Sequence, residues 1–233
     1  MKVGVVVFPG TNCDQDIENV YGRLLKAETR RIWHRETKIS DVDLVVLPGG
    51  FSYGDYLRTG ALARLSPVMD GIKNFAAEGG KVIGICNGFQ ILCESGLLPG
   101  VLLENVGRRF LSRFVHLTVE STKSFFTAGM SKGDMLTCPI AHFQGNYFAD
   151  LSTISELEAN NQVILRYCSG SGKRIDSDRD VNVNGSINSI AGITNTTGNV
   201  VGLMPHPERA VEMLTGFIGS DTGLSPFKCS VGA

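Results

Sequence analysis

The stretch Lys81-Val-Ile-Gly-Ile-Cys-Asn-Gly-Phe-Gln-Ile-Leu92 constrains this chain more than any other. Lys81–Ile85 is short, apolar and rich in β-branched residues, as a buried strand is. From Asn87 onward, Phe89, Ile91, Leu92 and Leu97 recur at helical spacing. Between the two lies Gly84-Ile85-Cys86-Asn87-Gly88. It has the form Gly-x-nucleophile-x-Gly of a sharp strand-to-helix turn, with cysteine in the nucleophile's place. Such a turn closes only if the neighbours of the nucleophile lack side chains. A helix that starts just after the sulfur offers it free N–H groups and a positive dipole end, which favours thiolate. The same string can arise by chance around a small buried cysteine, so the other half of the chemistry must come from elsewhere in the chain.

The 233 residues suit one α/β domain, 1–233, with length enough for a sizeable core. A net charge of −1 argues against a general nucleic-acid surface. The six cysteines are scattered and form no CxxC pair, so they suggest neither a zinc site nor a disulfide framework. Met1–Phe8 runs straight into a strand pattern rather than a signal peptide, and no apolar stretch is long enough for a membrane span. A reducing cytoplasm is the expected compartment.

Lys2–Phe8 reads as a strand covered on both faces. Asp14–Glu28 reads as an amphipathic helix with Ile17, Val20, Tyr21, Leu24 and Leu25 on one face. Arg30–His34 and Asp43–Leu47 read as strands, the second ending in Pro48-Gly49-Gly50. This alternation predicts a three-layer, doubly wound, mostly parallel sheet, in which ligands bind beyond the carboxyl ends of the strands. Both Gly49-Gly50 and Cys86 stand at such ends. The turn Phe51–Arg58 is expected to lead into a helix over Arg58–Leu65, with Asp55 and Arg58 free to pair. Pro67–Glu78 reads as a helix. Phe114–Val119, Met135–Cys138 and Gln162–Tyr167 read as strands, and Leu151–Asn160 as a helix. Pro139–Phe148 reads as a loop whose His142 is structural or substrate-facing, with no second ligand spaced for a metal. Ser169–Asn184 is polar and glycine-rich and reads as a mobile insertion or loop at the surface. Ile187–Thr194 and Asn199–Met204 read as two strands, the second ending in Pro205-His206-Pro207-Glu208.

That ending supplies the missing half. In an extended segment residues i and i+2 point the same way, and the proline between them fixes the backbone. His206 can then act as base and Glu208 as the carboxylate that orients it, giving a Cys86–His206–Glu208 triad. The plainer alternative has a surface histidine and a glutamate capping a helix over Glu208–Leu214. The upstream cysteine turn favours the triad. An oxyanion would need backbone donors, for which the N–H groups of Asn87 and Gly50 are candidates. Residue chemistry alone therefore reaches a cysteine-dependent acyl-transfer site and does not name the acyl group.

Gly84-Ile85-Cys86-Asn87-Gly88-Phe89-Gln90 with a distant Pro205-His206-Pro207-Glu208 resembles the class I, or triad, glutamine amidotransferases. Within that class, Pro48–Arg58, Cys86–Leu92, Asn184-Gly185-Ser186 and Met204–Ala210 resemble the glutaminase subunits of phosphoribosylformylglycinamidine synthase. The resemblance runs over nearly the whole chain and implies a flavodoxin-like amidotransferase fold. It implies that Cys86 attacks the side-chain amide of L-glutamine, with His206 and Glu208 completing the triad. Gln90 falls on a position that contacts the bound glutamine and Gly50 on an oxyanion-hole position. The ammonia released would pass to a separate synthetase subunit, with a third small subunit in the same complex. ATP and Mg2+ would bind that synthetase, and no P-loop occurs here. One departure is His142-Phe143-Gln144-Gly145, where the family usually has His-Gly-Glu-Gly.

Rival readings are an amidotransferase serving another synthetase, a cysteine-elbow hydrolase and a non-catalytic scaffold. The Phe51–Arg58 segment opposes the first. Asn87, where such a hydrolase would carry histidine, opposes the second, and an intact triad opposes the third.

Overall fold

The computed structural model describes residues 1–232. Strand β1 (Lys2–Val7) leads through α1 (Asp14–Glu18) to β2 (Glu28–Trp33). Strand β3 (Leu44–Leu47) leads through α2 (Val68–Ala77) to β4 (Lys81–Ile85), which turns at Cys86 into α3 (Asn87–Glu94). Then come β5 (Val101–Leu103), β6 (Leu111–Val119), β7 (Met135–His142) and β8 (Asn146–Phe148). Helix α4 (Leu151–Ala159), β9 (Val163–Cys168), β10 (Ile190–Thr194), β11 (Val200–Leu203) and α5 (Leu224–Val231) complete the chain.

Nine strands form one sheet in the order β2-β1-β3-β4-β11-β10-β9-β6-β7, while β5 and β8 pair separately. From β2 to β11 the neighbours are parallel, in the order of flavodoxin-like sheets. Right-handed crossovers carry β1 to β2 and β3 to β4 in opposite directions, so α1 and α2 cover opposite faces. Helix α5 returns to the α1 face, where Phe227 meets Tyr21 edge-on with ring centroids 5.5 Å apart. The expected three layers result. Double coverage explains why β3 and β11 are buried at every residue and read as unbroken apolar runs.

Beyond β11 the sheet turns antiparallel, and β10 carries register shifts on both sides of Gly192. Bulges of this kind bend a sheet. The bend brings the outer edge of β7 round to the carboxyl ends of β4 and β11. Along that edge the Thr137 N–H donates to Thr222 Oγ1 at 3.0 Å, and Pro139 C=O accepts from the His206 N–H at 2.8 Å. Ala141 C=O lies 3.8 Å from Cys86 Sγ. Pro139 leaves no N–H unpaired on this edge, which is where a sheet tolerates proline. One sheet thus supplies both sides of the site.

Several expected elements differ. The helix expected over Asp14–Glu28 stops being α-helical at Glu18, runs as a π-helical turn over Asn19–Leu24, and gives way to β2 at Glu28. Only Ala63–Leu65 of the expected Arg58–Leu65 helix is helical, as a 3-10 turn. Residues Pro139–His142 continue β7, and Asn146–Phe148 is strand, so little of that stretch is loop. The strand expected from Ile187 begins at Ile190, after a 3-10 turn over Ile187–Ser189. No helix spans Glu208–Leu214, where only Pro207–Arg209 form a 3-10 turn.

The glycines of the elbow serve close approach. A Cβ on Gly84 would stand 2.6 Å from the Gly88 backbone, and one on Gly88 would stand 1.9 Å from Leu47 O. Helix α3 is therefore seated on the backbone of β3. Overpacking of a rigid contact costs typically 1–3 kcal/mol and sometimes more. Gly88→Ala is expected to lower the urea-unfolding free energy by at least about 2 kcal/mol, because the atoms the new Cβ would strike, Leu47 O and C, are backbone. A loss within experimental error of zero would contradict this seating.

Candidate active site

Cys86 holds φ 51° and ψ −103°, a conformation that a non-glycine residue adopts only under constraint. Its N–H donates to Leu203 O of β11 at 2.8 Å, and it is followed directly by the first turn of α3. The Asn87 N–H stands among the unpaired donors of that turn. Gly50 forms an isolated bridge with Thr11, closed by Asn12 N–H to Gly49 O and Phe51 N–H to Gly10 O. In such a bridge the N–H of Gly50 points away from Thr11 and stays free to serve the cavity that Gly50 lines.

His206 Nδ1 and Glu208 Oε1 are 2.6 Å apart, and both residues are buried. The pairing expected from the sequence is present, but the backbone between them is not extended. His206 precedes a 3-10 turn and Glu208 lies within it. Nε2 of His206 is buried without a hydrogen-bond partner. Burial opposes charge on this ring, yet Glu208 and Cys86 hold its pKa well above the ordinary histidine value. The imidazolium is thus favoured next to Cys86.

Sequence reasoning missed Cys13. It lies against the same imidazole, and a Cβ on Gly49 would strike both His206 Cε1 at 2.7 Å and Cys13 Sγ at 2.9 Å. Burial pushes the Cys13 thiol up. Donor atoms of Cys13, His206 and Glu208 lie within 4.8 Å of one another, a spacing that could hold a metal ion. The chemistry of this set fits a cation poorly. Arg209 Nη2 already donates to Cys13 Sγ at 3.1 Å, and Arg209 Nε to Asp16 Oδ2 at 3.0 Å. A guanidinium at the thiol repels a second positive charge.

A cavity of about 100 Å³ opens beside Cys86, lined by Gly50, Asp55, Gln90, Ala141 and His142 among others. Gln90 Nε2 donates to Gln144 O at 2.6 Å, and its Oε1 accepts from Asn87 Nδ2 at 2.9 Å. The Asn87 side chain is a strut rather than a cavity wall: its Oδ1 accepts from the Ser52 N–H at 3.1 Å. Gln144 Oε1 accepts from Thr59 Oγ1 at 2.5 Å, an acceptor role that the family's glutamate would equally fill. Arg58 does not pair with Asp55; it forks onto both oxygens of Glu94 at 2.6 and 2.7 Å.

Behind the cavity stands a buried polar network. Asn105 Oδ1 accepts from the Gly145 N–H and faces His142 Nδ1, both at 3.1 Å. This arrangement makes His142 Nδ1 the donor and leaves its buried Nε2 as a free acceptor. Burial lowers the His142 pKa to about 3, so the ring stays neutral. Asn184 Nδ2 donates to Gly145 O at 2.7 Å and to Tyr167 Oη at 3.0 Å, and Ser186 Oγ accepts from the Tyr147 N–H. Val181–Asn184 are buried, so the end of the supposed surface insertion is a buttress. The Asn-Gly-Ser string was its only sequence signal.

The arrangement suits thiol-dependent acyl transfer on a doubly wound sheet. Residues 1–219 match the model of the CobB/CobQ-like glutamine amidotransferase domain. The chain is 51% identical over 222 residues to phosphoribosylformylglycinamidine synthase subunit PurQ of Salinibacter ruber, covering 95% of this chain and 92% of that one. It is 52% identical over 228 residues to the PurQ of a Nostoc species, covering 98% and 96%. The solved structure of PurLQS from Thermotoga maritima contains a chain with TM-score 0.84 and 41% identity, matched over 99% of this chain and 97% of that one. The chain belongs to the glutamine amidotransferase family and, within it, to the PurQ subunits. The glutaminase domain of Trypanosoma brucei CTPS, at 12% identity and TM-score 0.56, shares the fold.

Burial raises the Asp55 carboxyl to about 6, above its unfolded value of 3.8. Folding therefore disfavours its charged form, a penalty present at pH 8 and lost as the pH falls through about 6. Discounted for a half-exposed side chain, the penalty is about 1 kcal/mol. Asp55→Asn should raise the melting temperature of the ligand-free protein by about 2–4 °C at pH 8, and by less at pH 5. A gain that is the same at both pH values would show that the carboxylate charge is not its source.

Proposed function

We propose that the chain is the glutaminase subunit of phosphoribosylformylglycinamidine synthase. The observation that carries this reading is the buried His206–Glu208 pair beside a strained Cys86 in a chain of the PurQ family. Cys86 Sγ attacks the side-chain amide carbon of L-glutamine. The tetrahedral oxyanion is held by the N–H groups of Asn87 and Gly50. His206 Nε2 gives its proton to the departing nitrogen, the C–N bond breaks, ammonia leaves and a glutamyl thioester remains. Water then attacks the thioester, with His206 taking its proton, and glutamate and free Cys86 are regenerated. Glu208 keeps the ring in the orientation that both steps need and stabilises its charged form.

The ammonia passes to a synthetase subunit that converts formylglycinamide ribonucleotide to formylglycinamidine ribonucleotide. A third small subunit belongs to the same assembly, in line with the PurLQS complex in which a relative was solved. Amide hydrolysis through a thioester needs only water, so ATP and Mg2+ are assigned to the synthetase. All six cysteines are unpaired, and a nucleophilic thiol must stay reduced, which supports a reducing cytoplasm. Among the described residues, no helix is long and apolar enough to cross a membrane.

Two measurements test this reading. Ammonia release from glutamine should rise strongly when the synthetase, the small subunit, ATP and formylglycinamide ribonucleotide are added, and vanish in Cys86→Ala. Equal activity with and without the partners would refute the coupling. Glu208→Gln should lower kcat by about 10²- to 10⁴-fold with a much smaller change in KM. A larger effect on KM than on kcat would remove Glu208 from the triad.

A further inference from the structure

The cavity beside Cys86 holds one carboxylate for which the described residues offer no counter-ion. Asp55 lines it, and the Asp55 Oδ1 atom is buried without any hydrogen-bond partner. The nearest cation in sequence, Arg58, is committed to Glu94. No lysine or arginine lines the cavity, and His142 is held neutral. Half of the side chain is exposed, but an oxygen withdrawn from water is ordinarily paired, because an unpaired one is costly to desolvate.

The backbone also holds Asp55 in place under constraint. Tyr53, Asp55 and Leu57 have φ of 54°, 57° and 69°, all in the left-handed region where side chains are disfavoured. The turn is pinned from both sides. Tyr53 Oη bonds His34 Nδ1 and Ser66 Oγ, each at 2.8 Å, and the Ser52 N–H bonds Asn87 on the helix that follows the nucleophile. Strain that the surroundings fix in this way clusters at ligand sites.

Accepting that the site cleaves glutamine, we propose that Asp55 is the acceptor for the substrate's α-ammonium group, and so the residue that selects a free α-amino acid over other primary amides. Glutamine is a zwitterion whose ammonium lies at the opposite end of the molecule from the amide. With the amide at Cys86, that charge needs a counter-ion on the far wall of the same cavity. Asp55 is the one ionisable acid among the lining residues. Its raised carboxyl pKa is the signature of a group that lacks this partner in the free protein. The ion pair explains why Phe51–Arg58 adopts a strained turn where a relaxed loop would fold more readily.

The test compares L-glutamine with glutaramate, which is glutamine without its α-amino group, as substrates of the assembled complex. The readout is the ratio of the two kcat/KM values for the wild type, Asp55→Asn and Asp55→Glu. A hydrogen bond between charged groups contributes about 10- to 100-fold. Wild type should favour glutamine by that factor, Asp55→Asn should lose most of the preference, and Asp55→Glu should restore part of it. Equal loss on both substrates in Asp55→Asn would overturn the assignment and make Asp55 a support for the turn. An unchanged ratio would overturn it as well. Failure of the wild type to release ammonia from glutamine would instead strike the glutaminase reading itself, and the proposal with it.

Discussion

The strained peptide at Cys86 is the constraint on which the rest of the site depends. A cysteine at φ 51° and ψ −103° stays there only because its surroundings leave no alternative. Its N–H is tied to Leu203 on β11. The helix after it is pressed onto the carbonyl of Leu47 through Gly88, and Asn87 links that helix to the turn at Ser52. Three parallel strands, β3, β4 and β11, therefore determine where one sulfur atom stands. Releasing the strain would require moving backbone in the middle of a sheet buried on both faces.

The second dependence is the bend of the sheet. A purely parallel sheet would present Cys86 on an open rim. Here the antiparallel half curls until the edge of β7 faces that rim. Pro139 holds the His206 backbone and Ala141 faces the sulfur. The edge that would otherwise invite pairing with another strand is used instead to hold the His206 backbone. Behind it, the Asn105, Asn184 and Ser186 network keeps the His142–Gly145 corner in position without any net charge. Rigid backbone on both sides leaves only a small cavity between Cys86 and the facing wall, which suits a small amide substrate.

Much of this was legible in the sequence. The parallel half could be read because strands buried on both faces write unbroken apolar runs, and because the elbow has a fixed glycine spacing. His206 and Glu208 could be read because a proline-locked pair leaves few geometries, although a 3-10 turn rather than an extended segment brings them together. The antiparallel half was less legible. Its contacts join residues far apart in the chain, and the register shifts around Gly192 leave no mark in the hydrophobic pattern. Cys13 was given no role, and Asp55 was read only as a partner for Arg58, because such neighbourhoods come from convergence: Cys13 meets His206 across nearly the full length of the chain. The buried end of the 169–184 stretch escaped notice because its asparagines and serines look solvent-exposed until their partners, Gly145 and Tyr167, are seen.

Two thiols lie near one imidazole, and only Cys86 stands at the strand-to-helix elbow. The most direct test is to treat the assembled complex with a diazoketone analogue of glutamine and map the covalent adduct by peptide mass spectrometry. The elbow geometry predicts modification of Cys86 alone, in proportion to lost ammonia release, with the Cys13 peptide unmodified. An adduct on Cys13, or inactivation without any adduct on Cys86, would contradict it.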